Sequence, residues 1–234
     1  MRELRRFLLL MGFLALSTHI AIAQADRTDV RLRLEFPKHA RSHNLPASVV
    51  WLTPIEPTSA TAWAPMRYTL VQKNREFKPH LLVVPVGSVV DFPNKDPFFH
   101  NVFSLFDGKR FDLGLYEAGS TKSVTFSREG VSYIFCNIHP EMSAVILTLS
   151  TNLYSAGDAA GAFHIANVPE GSYQMHIWIE GITQPVLDRM VRRVHIGPGA
   201  GDLGAVQAPA PVLKTAPHTN MYGQPYEREV KPAY

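Results

Sequence analysis

The chain has 234 residues, 46% hydrophobic and 18% charged, with 18 Pro, 15 Gly and one Cys. That length allows one large domain or two small ones with buried cores, and the composition argues against wholesale disorder. A single cysteine excludes an intrachain disulfide framework and any Cys-rich zinc or iron–sulfur site.

Arg2, Arg5 and Arg6 lead into the apolar run Phe7–Leu16, and Ala21-Ile22-Ala23 then offers a small-x-small cleavage site before Gln24. The pattern predicts a secretory signal over residues 1–23, because the run is too short to span a bilayer and Ser17, Thr18 and His19 end it. The expectation is an exported bacterial periplasmic protein with no membrane insertion after cleavage. Cleavage removes three Arg and one Glu and leaves the chain close to neutral. No Lys/Arg-rich run remains, so no nucleic-acid partner is expected.

Beyond the signal, short β-branched and aromatic runs alternate with Pro, Gly, Asn and Asp, which predicts an all-β chain. Val30–Phe36 alternates apolar and charged residues, and Ala47–Leu52 is bounded by Pro46 and Pro54. Residues 56–66, rich in Pro, Thr and Ala, read as a linker. Leu81–Val86, Ser88–Phe92, Phe98–Phe106, Lys122–Phe126, Val131–Cys136 and Ala144–Leu149 continue the series. Strands at this spacing with turn signals predict β-sandwiches, and no apolar stripe is long enough for a substantial helix. Asp158–Ile165 reads as a turn feeding a strand, Val168–Gly171 as a second turn, and Ser172–Glu180 as an alternating strand. Met190–Ile196 supplies a last strand. The Gly-, Pro- and Ala-rich composition that follows predicts a disordered tail over residues 199–234.

The chemistry concentrates in Cys136-x-x-His139-x-x-Met142, which sets a thiol, an imidazole and a thioether three residues apart at a strand end. A tight loop there can turn all three toward one point, and His100 adds a second imidazole. Two His, one Cys and a weaker Met make the donor set of a trigonal blue-copper site, in which thiolate and thioether suit Cu(I) and imidazole serves both oxidation states. Metal ligation also explains an unpaired cysteine in an oxidising compartment. A Cys136/His139 nucleophile pair is the enzymatic rival. It lacks a third orienting group and an oxyanion-hole glycine cluster, and Asp91, Asp96 and Glu117 form no readable acid/base pair. No enzymatic activity is expected.

The run Val83–Asn94, then Asp96, His100-Asn101-Val102 and the Cys136–Met142 loop resembles a cupredoxin over residues 76–150. The short His-to-Met spacing, with Pro140 after the histidine, is similar to that of amicyanin. The whole arrangement is similar to bacterial plastocyanin-like proteins labelled methylamine-utilisation proteins. The resemblance implies one type 1 copper ion in a Greek-key sandwich, with His100, Cys136 and His139 as equatorial ligands and Met142 as the axial one. It also implies that Asn101 hydrogen-bonds across to hold the cysteine loop. The implied role is single-electron transfer between a redox-protein donor and acceptor, a c-type cytochrome or a periplasmic dehydrogenase being candidates. The alternative is a copper-binding or protein-interaction module with a non-redox role.

Gly161-x-Phe163-x-Ile165 followed by Val168-Pro169-x-Gly171-x-Tyr173 resembles the second half of a carboxypeptidase regulatory-like (transthyretin-like) β-sandwich. The expectation is one flanking sandwich built from residues 28–55 and 150–197, with the copper domain inserted between its halves. Of the other histidines, His80 stands at a strand start as a candidate extra ligand or a sheet-edge hydrogen-bonding group. His39, His43, His164, His176 and His195 carry no ligand pattern.

Overall fold

The computed structural model describes residues 27–37, 45–56, 63–105, 108–210 and 220–224. The predicted signal over residues 1–23 lies outside the described residues. Among the described residues every long element is a β-strand, so the all-β class holds. In chain order the strands are β1 (Arg27–Glu35), β2 (Ser48–Pro54), β3 (Arg67–Thr69), β4 (Val71–Lys73), β5 (Glu76–Lys78), β6 (Leu81–Pro85), β7 (Ser88–Pro93), β8 (His100–Ser104), β9 (Phe111–Tyr116), β10 (Thr121–Phe126), β11 (Gly130–Phe135) and β12 (Ser143–Leu149). They continue as β13 (Tyr154–Ala156), β14 (Ala162–Pro169), β15 (Gly171–Ile179), the five-residue helix α1 (Gln184–Asp188), β16 (Arg192–Ile196) and β17 (Asp202–Gln207).

An inner module spans β3 to β12. Its two sheets run β10-β7-β3 and β6-β12-β11-β8-β9, and they close over Leu70, Phe77, Val84, Phe92, Val102, Phe126, Ile134 and Ile146. It begins earlier than residue 76, since β3 pairs in parallel with β7 and β4 forms a hairpin with β5. Three-residue strands are too short for periodicity to reveal. The β4–β5 hairpin instead rests on its turn, where Asn74 and Arg75 have φ of 57° and 58°. Two successive left-handed residues match the right-handed twist of a two-residue hairpin.

The flanking strands join across the inner module. β1 pairs with β14, and β2 with both β13 and β15, so that sheets β14-β1-β17 and β13-β2-β15-β16 each combine residues from before and after it. Val30, Leu32 and Leu34 of β1 meet Phe163 and Ile165 of β14 and Tyr173, Met175 and Ile177 of β15 in one apolar core. The Tyr173 hydroxyl donates to the Pro169 carbonyl at 2.7 Å and ties the β14–β15 turn. Gly161 closes the turn before β14 at φ 72°, where an added Cβ would meet the Leu34 carbonyl oxygen at 2.9 Å.

β12 connects the two modules. Ala144 and Ile146 face the inner core, whereas Val145, Leu147 and Leu149 face the flanking one. Leu81 and Val83 of β6 and Val131 and Tyr133 of β11 turn the same way, onto the flanking core. Such strands are buried on both faces, which is why their sequences read as continuous apolar runs.

The structure corrects the reading of residues 199–234 as a disordered tail. Asp202–Gln207 forms β17, parallel to β1, with Gly201 O accepting from Arg31 N at 2.8 Å and Ala208 N donating to Glu35 O at 2.9 Å. Leu203 and Val206 pack on the flanking core. Composition counts only the segment's own apolar surface. It does not count the hydrogen-bonding edge that β1 presents. Residues 211–219 and 225–234 lie outside the described residues, as does much of the expected linker. Trp63, at that linker's end, stacks on Tyr154 with ring centroids 5.1 Å apart.

Candidate metal centre

Three chain segments converge at one end of the inner module. β8 opens with His100, β11 ends just before Cys136, and the loop returning to β12 carries His139 and Met142. The loop closes on itself, with Met142 N donating to His139 O at 3.0 Å and Cys136 N to Met142 O at 3.3 Å. These two bonds turn the chain so that residues 136 and 139 face the same point.

Cys136 Sγ lies 3.8 Å from His100 Nδ1 and 3.6 Å from His139 Nδ1, and the two Nδ1 atoms are 3.1 Å apart. The circle through three donors at these separations has a radius of about 2.0 Å, close to the 2.0–2.3 Å of ordinary metal–nitrogen and metal–sulfur bonds. One thiol and two imidazoles with their donor atoms this close fit a soft, three-coordinate first-row metal such as copper. Among the described residues this is the one such cluster of His, Cys, Asp and Glu side chains. His100 and Cys136 are fully buried, while His139 is partly exposed. Met142 is fully buried in the same apolar cluster as Cys136, Val102 and Tyr116.

Burial pushes the Cys136 thiol above its ordinary pKa, against the opposing pull of the Asn101, Ile138 and His139 backbone N–H groups. A thiol held protonated in this way is a poor nucleophile, which weakens the thiol-enzyme alternative. It ionises readily once a metal cation is beside it.

Asp96 sets the orientation of His100. Its carboxylate accepts from His100 Nε2 at 2.8 Å, so the neutral ring carries its proton on Nε2 and presents the Nδ1 lone pair toward Cys136 and His139. Asp96 also accepts from Asn74 N at 2.7 Å and Arg75 N at 2.9 Å, the two left-handed residues of the β4–β5 turn. Burial works to raise the Asp96 carboxyl, but the Arg75, His100 and Asn74 bonds outweigh it and hold the group below the usual carboxylate range. The loop before His100 is shaped by the buried Asn94, which donates to Phe98 O at 2.8 Å and accepts from Asp96 N at 3.0 Å. Phe98 then places its ring 5.2 Å from His100 and 5.7 Å from His139.

Asn101 lies across from the cysteine loop. Its Oδ1 accepts from Asn137 N at 3.2 Å, and its Nδ2 donates to Asp112 Oδ1 at 2.6 Å. The structure thus brings together His100, Cys136, His139 and Asn101, with Met142 in the closing turn of the loop. His80 is not among them. Its Nε2 engages Glu180 at 2.9 Å and its Nδ1 lies 3.2 Å from Ser143 O, so the candidate extra ligand is a sheet-edge hydrogen-bonding group. Asp96 and Asn94 are site residues that motif spacing did not assign. The sequence signals for Asp96 are its place in the run before His100 and its spacing of four residues from it.

No family model matches the chain, and no curated protein does. Among solved structures, the chain is similar to a copper-containing nitrite reductase from Thermus scotoductus SA-01 at 26% identity, covering 42% of this chain and 25% of that one with a TM-score of 0.35. A purple cupredoxin from Nitrosopumilus maritimus matches at 23% identity over 35% of this chain and 99% of that chain, with a TM-score of 0.32. A reduced tryptophan-to-tyrosine mutant of amicyanin matches at 18% identity over 43% of this chain and 98% of its own, with a TM-score of 0.34. The chain therefore spans a quarter of the length of the nitrite reductase.

Proposed function

We propose that this protein is a periplasmic type 1 copper protein that carries single electrons between redox partners and catalyses no reaction of its own. The observation that carries this is the close triangle of Cys136 Sγ, His100 Nδ1 and His139 Nδ1. His100, Cys136 and His139 would hold the copper, and the buried Met142 thioether of the same loop would serve as a further, weaker donor. Bound copper supplies one-electron exchange between Cu(I) and Cu(II). The chain's part is to keep the donors still during that exchange. Asp96 fixes the His100 ring, Asn101 ties the cysteine loop to β8, and the strands on either side are packed on both faces.

Access to the site favours exchange at a surface. His139 is the histidine of the pair with solvent exposure, and its neighbour Ile138 is 43% exposed. Phe99, beside His100, is 56% exposed, and Leu115 of β9 is 58% exposed. Exposed apolar side chains around a ligand loop suit brief docking of a redox protein, for which a c-type cytochrome or a periplasmic dehydrogenase is the expected class. Export through residues 1–23 accords with an unpaired cysteine engaged in ligation.

The test is the visible spectrum of the processed protein after Cu(II) addition, beside Cys136→Ser. An intense thiolate-to-copper band, bleached by ascorbate and absent from Cys136→Ser, supports the proposal, and a colourless protein overturns it. Stoichiometric copper that does not cycle with a c-type cytochrome would favour the non-redox binding module.

A further inference from the structure

We propose that Asn137 is a positioning residue of the ligand loop and that the C-terminal turn Asn220–Gln224 is the clamp that grips it. The role deepens the metal-binding function proposed above and rests on it. Asn137 follows Cys136 directly and is held from two sides. Its backbone N–H donates to Asn101 Oδ1 at 3.2 Å, and its side-chain Oδ1 accepts from Met221 N at 2.9 Å. One hold comes from β8, inside the inner module. The other comes from a segment 84 residues further along the chain.

The gripping segment is built to hold its own shape. Asn220 Oδ1 accepts from Tyr222 N at 2.9 Å and Gln224 N at 3.0 Å, Asn220 N donates to Gln224 O at 2.8 Å, and Gly223 N to Asn220 O at 2.9 Å. Gly223 takes φ of 77°, which a glycine adopts without strain. Asn220 and Met221 are partly buried whereas Tyr222, Gly223 and Gln224 are exposed, so the turn seats its leading edge on the protein and leaves its tip in solvent. A self-bonded turn loses little entropy on docking, which lets one further hydrogen bond hold it in place.

Fixing Asn137 fixes the loop that carries both Cys136 and His139. The consequence is slower opening of that loop and slower loss of the metal. The Ile138 and Phe99 side chains stay exposed with the clamp in place, so the clamp and a docking partner use different sides of the loop.

The experiment compares the full chain with Asn137→Ala, Asn137→Asp and a chain ended after Ala210. Transfer of Cu(I) to bathocuproine disulfonate and amide hydrogen exchange of the 138–142 loop in metal-free protein are followed for each. A single part-buried hydrogen bond of ordinary strength sets the expected size at about threefold to tenfold faster copper transfer and loop exchange for Asn137→Ala and for the shortened chain. Combining the two changes adds nothing further, and Asn137→Asp, which keeps an accepting oxygen, behaves as the unaltered chain. A shortened chain that leaves both rates unchanged, or changes that multiply when combined, overturns the clamp. The shortened chain carries the test if Asn137→Ala does not fold. Failure of the full chain to bind copper would overturn the metal centre, while the exchange measurement on metal-free protein still decides the clamp.

Discussion

His100 Nε2 and a carboxylate oxygen of Asp96 lie 2.8 Å apart, with both side chains removed from solvent. The pair passes a local backbone feature into the candidate metal centre. The left-handed Asn74-Arg75 turn aims two N–H groups at Asp96, Asp96 fixes the His100 tautomer, and His100 then presents Nδ1 to Cys136 and His139. Asp96→Asn keeps the volume but removes the charge, and it leaves one amide oxygen where two carboxylate oxygens serve Asn74 N, Arg75 N and His100 Nε2, so the histidine's hold is weakened. Metal affinity is expected to fall about 10- to 100-fold. Competition with a chelator of known copper affinity measures it, and an unchanged affinity would show that the ring is held by packing alone.

Asn101 bonds two parts of the site that are otherwise separate, the cysteine loop through Asn137 N and β9 through Asp112. Asn101→Ala takes the acceptor from the part-buried Asn137 N–H, while the exposed Asp112 keeps water and the Gly114 N–H, so the loss is about 1 kcal/mol. The expected outcome is a lower urea midpoint together with a shifted and weakened charge-transfer band. A spectrum identical to that of the unaltered protein would contradict a role in holding the loop.

β12 contributes Ile146 to one core and Leu147 to the other, and both are buried. Ile146→Ala and Leu147→Ala are each expected to cost about 2–5 kcal/mol. Because a single strand serves both cores, each variant should displace one common unfolding transition. Calorimetry that resolves two transitions, with each variant moving only one, would mean that the modules unfold independently.

His80, just before β6, and Glu180, just past β15, link the inner module to the flanking one. The His80 pKa is raised chiefly by its hydrogen bond to Glu180, with burial opposing. The folded state therefore binds this proton more tightly than the unfolded state, whose histidine titrates near 6.5. The stabilisation is complete below that value and disappears as pH rises through the folded-state pKa. The pair is half-exposed, so its contribution stays below about 1 kcal/mol. His80→Gln should lower the urea midpoint at pH 5.5 and converge with the unaltered protein by pH 9. A constant difference across that range would assign the effect to packing.

Local pattern made some of this legible and long-range pairing hid the rest. Val30–Phe36, Leu81–Val86 and Val131–Cys136 were readable because alternation or an unbroken apolar run survives in a dozen residues. The donors Cys136 and His139 were readable because a strand and its closing loop lie together in the chain. β3, β4, β5 and β13 were hidden by brevity. β9 carries the glycine Gly114 at φ 64° in its middle, which breaks the apolar pattern. β17 was hidden because what orders it is the open edge of β1, far back in the chain.

The amino-acid sequence by itself therefore determined the all-β class and the loop that carries Cys136 and His139, since each depends on neighbours within one strand and turn. Only the tertiary structure decided that Asp96 orients His100, that His80 belongs to the Glu180 link and lies apart from the donors, and that a turn near residue 220 reaches Asn137. The last two rest on contacts between segments far apart in the chain, and the first on a carboxylate that the Asn74-Arg75 turn, more than twenty residues earlier, holds in place. A buried polar group finds whichever partner the packed chain brings within hydrogen-bond distance.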